Sequence, residues 1–177
     1  MSGNVRGQVA FSGRLFDVEV LVQTGPDGRI VQREVVRHPG AVVVIPVLED
    51  RRLAMIRNYR VATGERLWEL PAGKLERGED PQLAALRELE EETGYRARAI
   101  DKLGEFYTSP GFADELIRAF LAEDLEQVGQ CLEAGEDIEL ERLPLERVLA
   151  MIDRGEIRDA KTIAALYLWE RRQRGET

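Results

Sequence analysis

The sequence predicts an α+β fold built on a mixed sheet. Three observations point there. Strand-like stretches, some alternating and one wholly apolar, fill much of the chain up to Pro71. One segment with clear helix ends follows, from Asp80 to Gly94. More strand-like stretches come next, and two helical ones close the chain. Strands, helix, strands, helices is not the regular winding of a parallel βαβ protein.

Leu15 to Gln23 (LFDVEVLVQ) alternates with period two, and Arg29 to Arg37 (RIVQREVVR) does so again. Gly25-Pro26-Asp27-Gly28 between them is a turn, so the pair reads as a hairpin. Ala41 to Leu48 is the longest apolar run, and Val42 to Leu48 within it has the length of a buried strand. Glu49-Asp50 turns the chain into a strand over Arg52 to Tyr59. Leu67 to Leu70 is a short strand ended by Pro71. Asp80 can cap the next helix, Pro81 suits its first turn, and Gly94 suits the residue past its end. Leu83, Leu86 and Leu89 form its expected apolar stripe. Strands follow at Ala97 to Tyr107, Leu116 to Ala122 and Ile138 to Leu143. Pro144 opens a helix to Asp153, and Asp159 caps a last one from Ala160 to about Arg172.

The 177 residues fit one domain with a small appendage, and 44% hydrophobic residues supply a core. No apolar run reaches the ~18 residues of a membrane span. The first residues lack the basic and apolar regions of a signal peptide. Cys131 is the single cysteine, which excludes an internal disulfide and fits a reducing, cytoplasmic setting. It is expected buried or half-buried. A net charge of −8 disfavours nucleic acid as a partner. An anionic substrate would need local positive charge from arginines or metal ions.

The helical segment carries Glu88, Glu90, Glu91 and Glu92. Glu88 and Glu92 are four apart and Glu91 is three from Glu88, so these three share one strip. Crowded like charges repel. They are either a solvated face or oxygen ligands for a hard divalent cation such as Mg²⁺. Glu90 points elsewhere and reads as surface charge.

The cluster alone leaves both readings open, but it sits inside a longer pattern. Gly73, Glu79, Arg87, Glu88, Leu89, Glu91, Glu92, Gly94 and Tyr95 fill the pattern G-x5-E-x7-R-E-U-x-E-E-x-G-U, U being bulky and apolar. Composition alone would produce it with a chance on the order of 10⁻⁵ in a chain of this length. The stretch Gly73 to Tyr95 resembles the box of the Nudix hydrolase family. That resemblance implies an α/β/α sandwich, a loop-helix-loop and Mg²⁺ or Mn²⁺ as cofactor. It implies Glu88, Glu92 and Glu91 as ligands with the carbonyl of Ala72. Gly73, Glu79, Arg87 and Gly94 become the structural brace of the box, Glu79 pairing with Arg87.

Beyond the box, "TSPGFADE" places Pro110, Gly111 and Phe112 after it, a run and spacing that resemble the ADP-ribose pyrophosphatase branch. "ERLWELPAGKLE", "MIRNYRVATGE" and "DAKTIAALYLWE" resemble the same branch. The implied reaction is Mg²⁺-dependent hydrolysis of ADP-ribose to AMP and ribose 5-phosphate. Arg37 and Arg60, and less directly Arg57, stand where phosphate-binding arginines are expected. Phe16, Phe112 and Tyr107 are open candidates for stacking on adenine, each also able to be core. Trp68 reads as core and His38 as a loop residue. The base is expected in the loop "LEAGEDIEL", from Glu133, Glu136 or Asp137, with Glu136 preferred and Glu91 as substitute. Residues 1–38 are expected to form a hairpin region swapped in a homodimer, and 39–177 the catalytic domain. Rival substrates are ADP-glucose, GDP-mannose or NADH, and a rival class is a non-catalytic ADP-ribose sensor.

Overall fold

Burial along one strand sets the architecture. The computed structural model describes residues 6–132 and 135–175. The strands are β1 (Arg6–Ser12), β2 (Asp17–Thr24), β3 (Ile30–Arg37), β4 (Ala41–Pro46), β5 (Arg52–Arg60), β6 (Glu65–Glu69) and β7 (Ala72–Lys74). Helix α1 (Pro81–Thr93) comes next. Then come β8 (Tyr95–Arg96), β9 (Ile100–Tyr107), β10 (Leu116–Ala122), β11 (Glu126–Gln127) and β12 (Ile138–Pro144). Helices α2 (Leu145–Asp153) and α3 (Ala160–Gln173) end the described chain.

All six residues of β4 are buried. Successive side chains of a strand point to opposite faces. Val42 and Val44 therefore join Ala84, Ala85 and Leu89 of α1 in one core. Val43 and Ile45 join Met151 of α2 and Leu166 and Trp169 of α3 in the other. The sheet lies between α1 on one side and α2 and α3 on the other. That is the α/β/α sandwich, and the α+β expectation holds. The central sheet runs β7-β4-β10-β9, with β4 and β10 parallel and the other pairs antiparallel. A second sheet, β12-β5-β6, is joined to it by a bridge between Val47 and Leu53.

The N-terminal region is a small three-stranded antiparallel sheet, the expected β2–β3 hairpin extended by β1. β1 pairs with β2 and all seven of its residues are exposed. With no buried face, its sequence carries no strong alternation, which is why only β2 and β3 are readable. This sheet is tied to the rest at the end of β3. Val36 donates to the carbonyl of Phe112 at 2.7 Å, and Asp114 N donates to Val36 at 3.1 Å.

Candidate active site

Helix α1 begins where its capping residue dictates. Asp80 Oδ1 accepts from Gln82 N at 2.8 Å and Leu83 N at 3.3 Å. The helix stops at Gly94, whose φ of 70° favours glycine. A Cβ there would also meet Gln130 N at 2.5 Å. The close neighbour is a strap that satisfies carbonyls at the helix end. Val128 N and Gly129 N donate to Gly94 O, Cys131 N to Glu91 O, and Gln130 Nε2 to Glu92 O at 2.6 Å. The strap leads toward the loop that carries Glu136.

The helix buries the Leu89 end of the expected leucine stripe and packs Leu86 partly against the core, but leaves Leu83 outside. Leu83 is 63% exposed, while Ala84, Ala85 and Leu89 are fully buried. Small alanines let the helix sit close to β4. The same rotation carries Glu88 and Glu92 inward, to 8% and 3% exposure. A Cβ on Gly73 would overlap the Glu88 carboxylate, so glycine at 73 is what makes room for that acid. Glu92 Oε2 accepts from Ala72 N at 2.8 Å.

Burial raises the proton affinity of both acids. For Glu88 the neighbouring Arg87 offsets only part of the rise. Glu92 is pushed up to about 8, first by burial and then by the negative fields of Glu88 and Glu136, against the opposing hydrogen bond from Ala72 N. Glu136, in the loop before β12, lines the same cavity as both acids and adds its negative field to theirs. Arg87 does more than brace Glu79. Its Nε reaches Glu79 at 3.1 Å, while Nη1 reaches Glu88 at 2.7 Å and Glu91 at 2.9 Å. Glu79 also accepts from Glu76 N at 2.8 Å, which closes the loop before the helix.

A cavity of about 310 Å³ lies over this strip, walled by Ala72, Gly73, Glu88, Glu92, Glu136, Asn58 and Arg60. It shares Arg60, Ala72 and Gly73 with one of about 410 Å³ that adds Thr108, Glu115 and Lys161. Another, of about 700 Å³, runs along Phe16, Arg37 and His38. Leu15 and Lys74 line all three. Arg60 grips the buried Glu69 through Nε at 2.8 Å and Nη2 at 2.6 Å. Arg37 bonds Glu19 at 2.7 Å and Asp114 at 2.9 Å, which raise its proton affinity.

Other expected residues fall elsewhere. Arg57 stacks over Trp68 at 5.2 Å and does not line the cleft, because it points to the opposite face of β5 from Asn58 and Arg60. Trp68 is half-buried beneath it. Pro110, Gly111 and Phe112 form an exposed turn beside β3, and it is the flanking Thr108 and Glu115 that reach the cleft. Tyr107 and Phe112 are 56% and 57% exposed, so neither is core. His38 is a loop residue, as expected, accepting from Gly40 N at 3.1 Å. Cys131 is exposed rather than buried. Glu90 is a surface charge, paired with Arg96 at 2.7 Å. Asp137 pairs with Arg66. Glu133 lies outside the described residues. Sequence reading missed Asn58, Glu69, Lys74 and Lys161. Only Glu69 carried a signal, as an acid inside an otherwise apolar approach to the box.

Residues 37–166 match the NUDIX domain. The chain belongs to the Nudix family. Among its relatives, an ADP-ribose pyrophosphatase of Bacillus subtilis is 44% identical over 158 residues, 88% of this chain and 85% of that one. A methanol dehydrogenase activator of Bacillus methanolicus is 42% identical over 92% of this chain and 89% of its own. A GDP-mannose pyrophosphatase of Cronobacter sakazakii is 38% identical, over 81% of each. The crystal structure of an ADP compounds hydrolase superposes with a TM-score of 0.85 at 23% identity, covering 100% of this chain and 98% of that one. At that identity the likeness speaks for the fold.

The Nudix strip suits a divalent cation by its chemistry. It offers hard carboxylate oxygens, buried and mutually repelling, with a cavity beside them. Among the described residues no three acids converge as a ready ligand set. Arg87 now occupies Glu88 and Glu91, and Ala72 N occupies one oxygen of Glu92. Glu88, Glu91 and Glu92 are the side chains that would hold the ion. No helix among the described residues is long and apolar enough to cross a membrane.

Proposed function

We propose that this Nudix chain hydrolyses the pyrophosphate of ADP-ribose to AMP and ribose 5-phosphate, using Mg²⁺ or Mn²⁺. One observation carries the reading: two desolvated carboxylates, Glu88 and Glu92, share a cavity with Glu136 and Arg60. In this reading the acids serve a cation, Glu136 serves as base and Arg60 binds phosphate, and their shared cavity supports that assignment. The choice of ADP-ribose rests on the relative that is 44% identical.

Glu88, Glu91, Glu92 and the Ala72 carbonyl would hold the cation. When bound, the ion acidifies its water and neutralises charge on the phosphate oxygens. Arg60, on the cavity wall, binds the diphosphate and Arg37 supports its adenosine side. The half-exposed Phe16, in the groove with Arg37, offers a face to adenine. Water adds to one phosphorus as its bond to the bridging oxygen breaks. Glu136 accepts the water proton, and the departing phosphate oxygen carries the charge.

The test is a substrate panel. The protein with Mg²⁺ is given ADP-ribose, ADP-glucose, GDP-mannose, NADH and dNTPs, and phosphomonoester products are measured. ADP-ribose is expected to show the highest kcat/KM. The relative acting on GDP-mannose makes that sugar nucleotide the second reading. No turnover of any compound points to a sensor instead, and turnover of dNTPs alone refutes the ADP-ribose reading.

In this reading the N-terminal region expected over 1–38, described from residue 6, is the swapped arm of a cytoplasmic homodimer and completes the partner's adenosine site. Val9 and Phe11 on β1 support it, being 58% and 55% exposed on a sheet that otherwise covers little of its own chain. An isolated 20.0 kDa particle in size-exclusion chromatography would refute the dimer.

A further inference from the structure

Glu69 is a carboxylate at 1% exposure, placed at the end of β6. It sits outside the metal strip. Three bonds from two cations converge on it: Arg60 Nε at 2.8 Å, Arg60 Nη2 at 2.6 Å and Lys161 Nζ at 2.5 Å. Lys161 is itself fixed by Asp159 at 3.0 Å. Asp159 caps α3, accepting from Thr162 N at 3.0 Å and Thr162 Oγ1 at 2.6 Å. Thr162 Oγ1 in turn accepts from Leu70 N at 2.9 Å. One buried acid thus ties β5, β6 and the start of α3 together.

Such a group is a poor way to gain stability. Buried ion pairs are often matched or bettered by apolar residues of similar volume. What the fork supplies is direction. Glu69 takes Nε and Nη2 in the planar, bidentate manner of a guanidinium and a carboxylate. Nη1 of Arg60 has no hydrogen-bond partner among the described residues. The Arg60 side chain is 39% exposed and lines both the acid-walled cavity and its 410 Å³ neighbour.

We infer that Glu69 and Lys161 are positioning residues: together they hold the Arg60 guanidinium so that Nη1 faces the substrate's diphosphate. This rests on the reading of the cleft as a diphosphate site. Lys161 serves from behind. It neutralises Glu69 from α3, so the carboxylate stays in place whether or not substrate draws on Arg60. Neither residue needs to touch the reacting atoms.

The test compares Glu69→Gln, Lys161→Met and Lys161→Arg with the parent protein, using ADP-ribose and Mg²⁺. Glu69→Gln should raise KM about tenfold with kcat within about threefold, as expected when ground-state binding is lost. Lys161→Met should raise KM about threefold, and Lys161→Arg should restore it. Guanidinium NMR on labelled protein reads the positioning directly. Resolved Nη signals of Arg60 in the parent should average in Glu69→Gln as rotation is freed. A lowered melting temperature with unchanged KM and unaveraged signals would make Glu69 a scaffold residue and overturn the inference. If the parent protein turns over no ADP-ribose, the proposed function fails, and the NMR comparison still decides the positioning. If Glu69→Gln does not fold, Lys161→Met carries both readouts.

Discussion

Two glutamates flank one cleft, are buried to nearly the same degree, and behave in opposite ways. Glu92 is 3% exposed and Glu69 is 1% exposed. Burial drives the proton affinity of each upward. At Glu92 other acids add to the rise and the carboxyl is pushed up to about 8. At Glu69 the hydrogen bonds and charges of Arg60 and Lys161 outweigh burial and hold it below its ordinary value. The desolvation is alike, so the partners decide. Glu69 has its cations built into the chain, whereas Glu92 leaves a place for one from solution. The first arrangement is fixed and directs an arginine. The second is strained until it is filled, which suits a site that takes up a metal ion.

The largest effect should come from removing the charge that a metal needs. Glu92→Gln keeps the shape and the hydrogen bond from Ala72 N. It should lower kcat by about a thousandfold or more, since losing a metal ligand forfeits several kcal/mol of transition-state stabilisation. Circular dichroism should be unchanged. Activity within tenfold of the parent would remove Glu92 from the metal site.

The two sites should also respond to pH with opposite signs. Glu92 has a raised value in the folded state, so its ionisation favours the unfolded chain. In metal-free protein its contribution to stability falls as pH rises from about 4.5 to about 8. Glu69 has a lowered value, so its contribution is present above the ordinary 4.5 and is lost as pH falls. In EDTA near pH 8, Glu92→Gln should therefore raise the melting temperature. Glu69→Gln should lower it, because Lys161 and the part-exposed Arg60 lose their shared counter-charge. Adding Mg²⁺ should stabilise the parent and leave Glu92→Gln nearly unmoved. Equal signs for the two variants would break the contrast.

Glu136 belongs to the Glu92 side of the comparison through its field, but the proposal gives it a proton rather than a metal. Glu136→Gln should lower kcat about a hundredfold, at the low end for a lost general base. Unlike Glu92→Gln, it should keep the stabilisation by Mg²⁺. Loss of both together would make Glu136 a ligand.

The same contrast explains what the sequence could tell. The box from Gly73 to Gly94 is local, and its pattern is specific enough that the resemblance to the Nudix box singles out Glu88, Glu91, Glu92, Glu79 and Arg87 as candidates. The ends of α1 were readable because Asp80 and Gly94 act on neighbouring backbone atoms. The burial of Glu88 and Glu92 was not readable. It depends on Ala84 and Ala85, rather than Leu83, facing β4 beside Leu89, and leucine spacing alone does not show that rotation. Glu69 and Lys161 were missed for a different reason. They lie 92 residues apart, and only the docking of α3 on β6 brings them together. Arg57 and Arg60 look alike in "RNYR". Strand alternation separates them, sending one to Trp68 and the other to the cleft.

The smallest expected effect lies at the far end of the Glu69 network. Thr162 is fully buried, and its hydroxyl accepts from Leu70 N while donating to Asp159. Thr162→Ala removes that link without touching a charge. Leu70 N is left without its acceptor, which costs about 1–3 kcal/mol for a buried group. The α3 cap keeps its contact from the backbone N–H of residue 162, so the helix start should survive. Lys161 stays paired to Glu69, so Arg60 stays aimed. Melting temperature should fall by a few degrees, and KM for ADP-ribose should not change. A rise in KM as large as that of Lys161→Met would mean that Arg60 is aimed by the packing of α3 as a whole, and that the contrast between a fixed and an open acid is too local a description of the cleft.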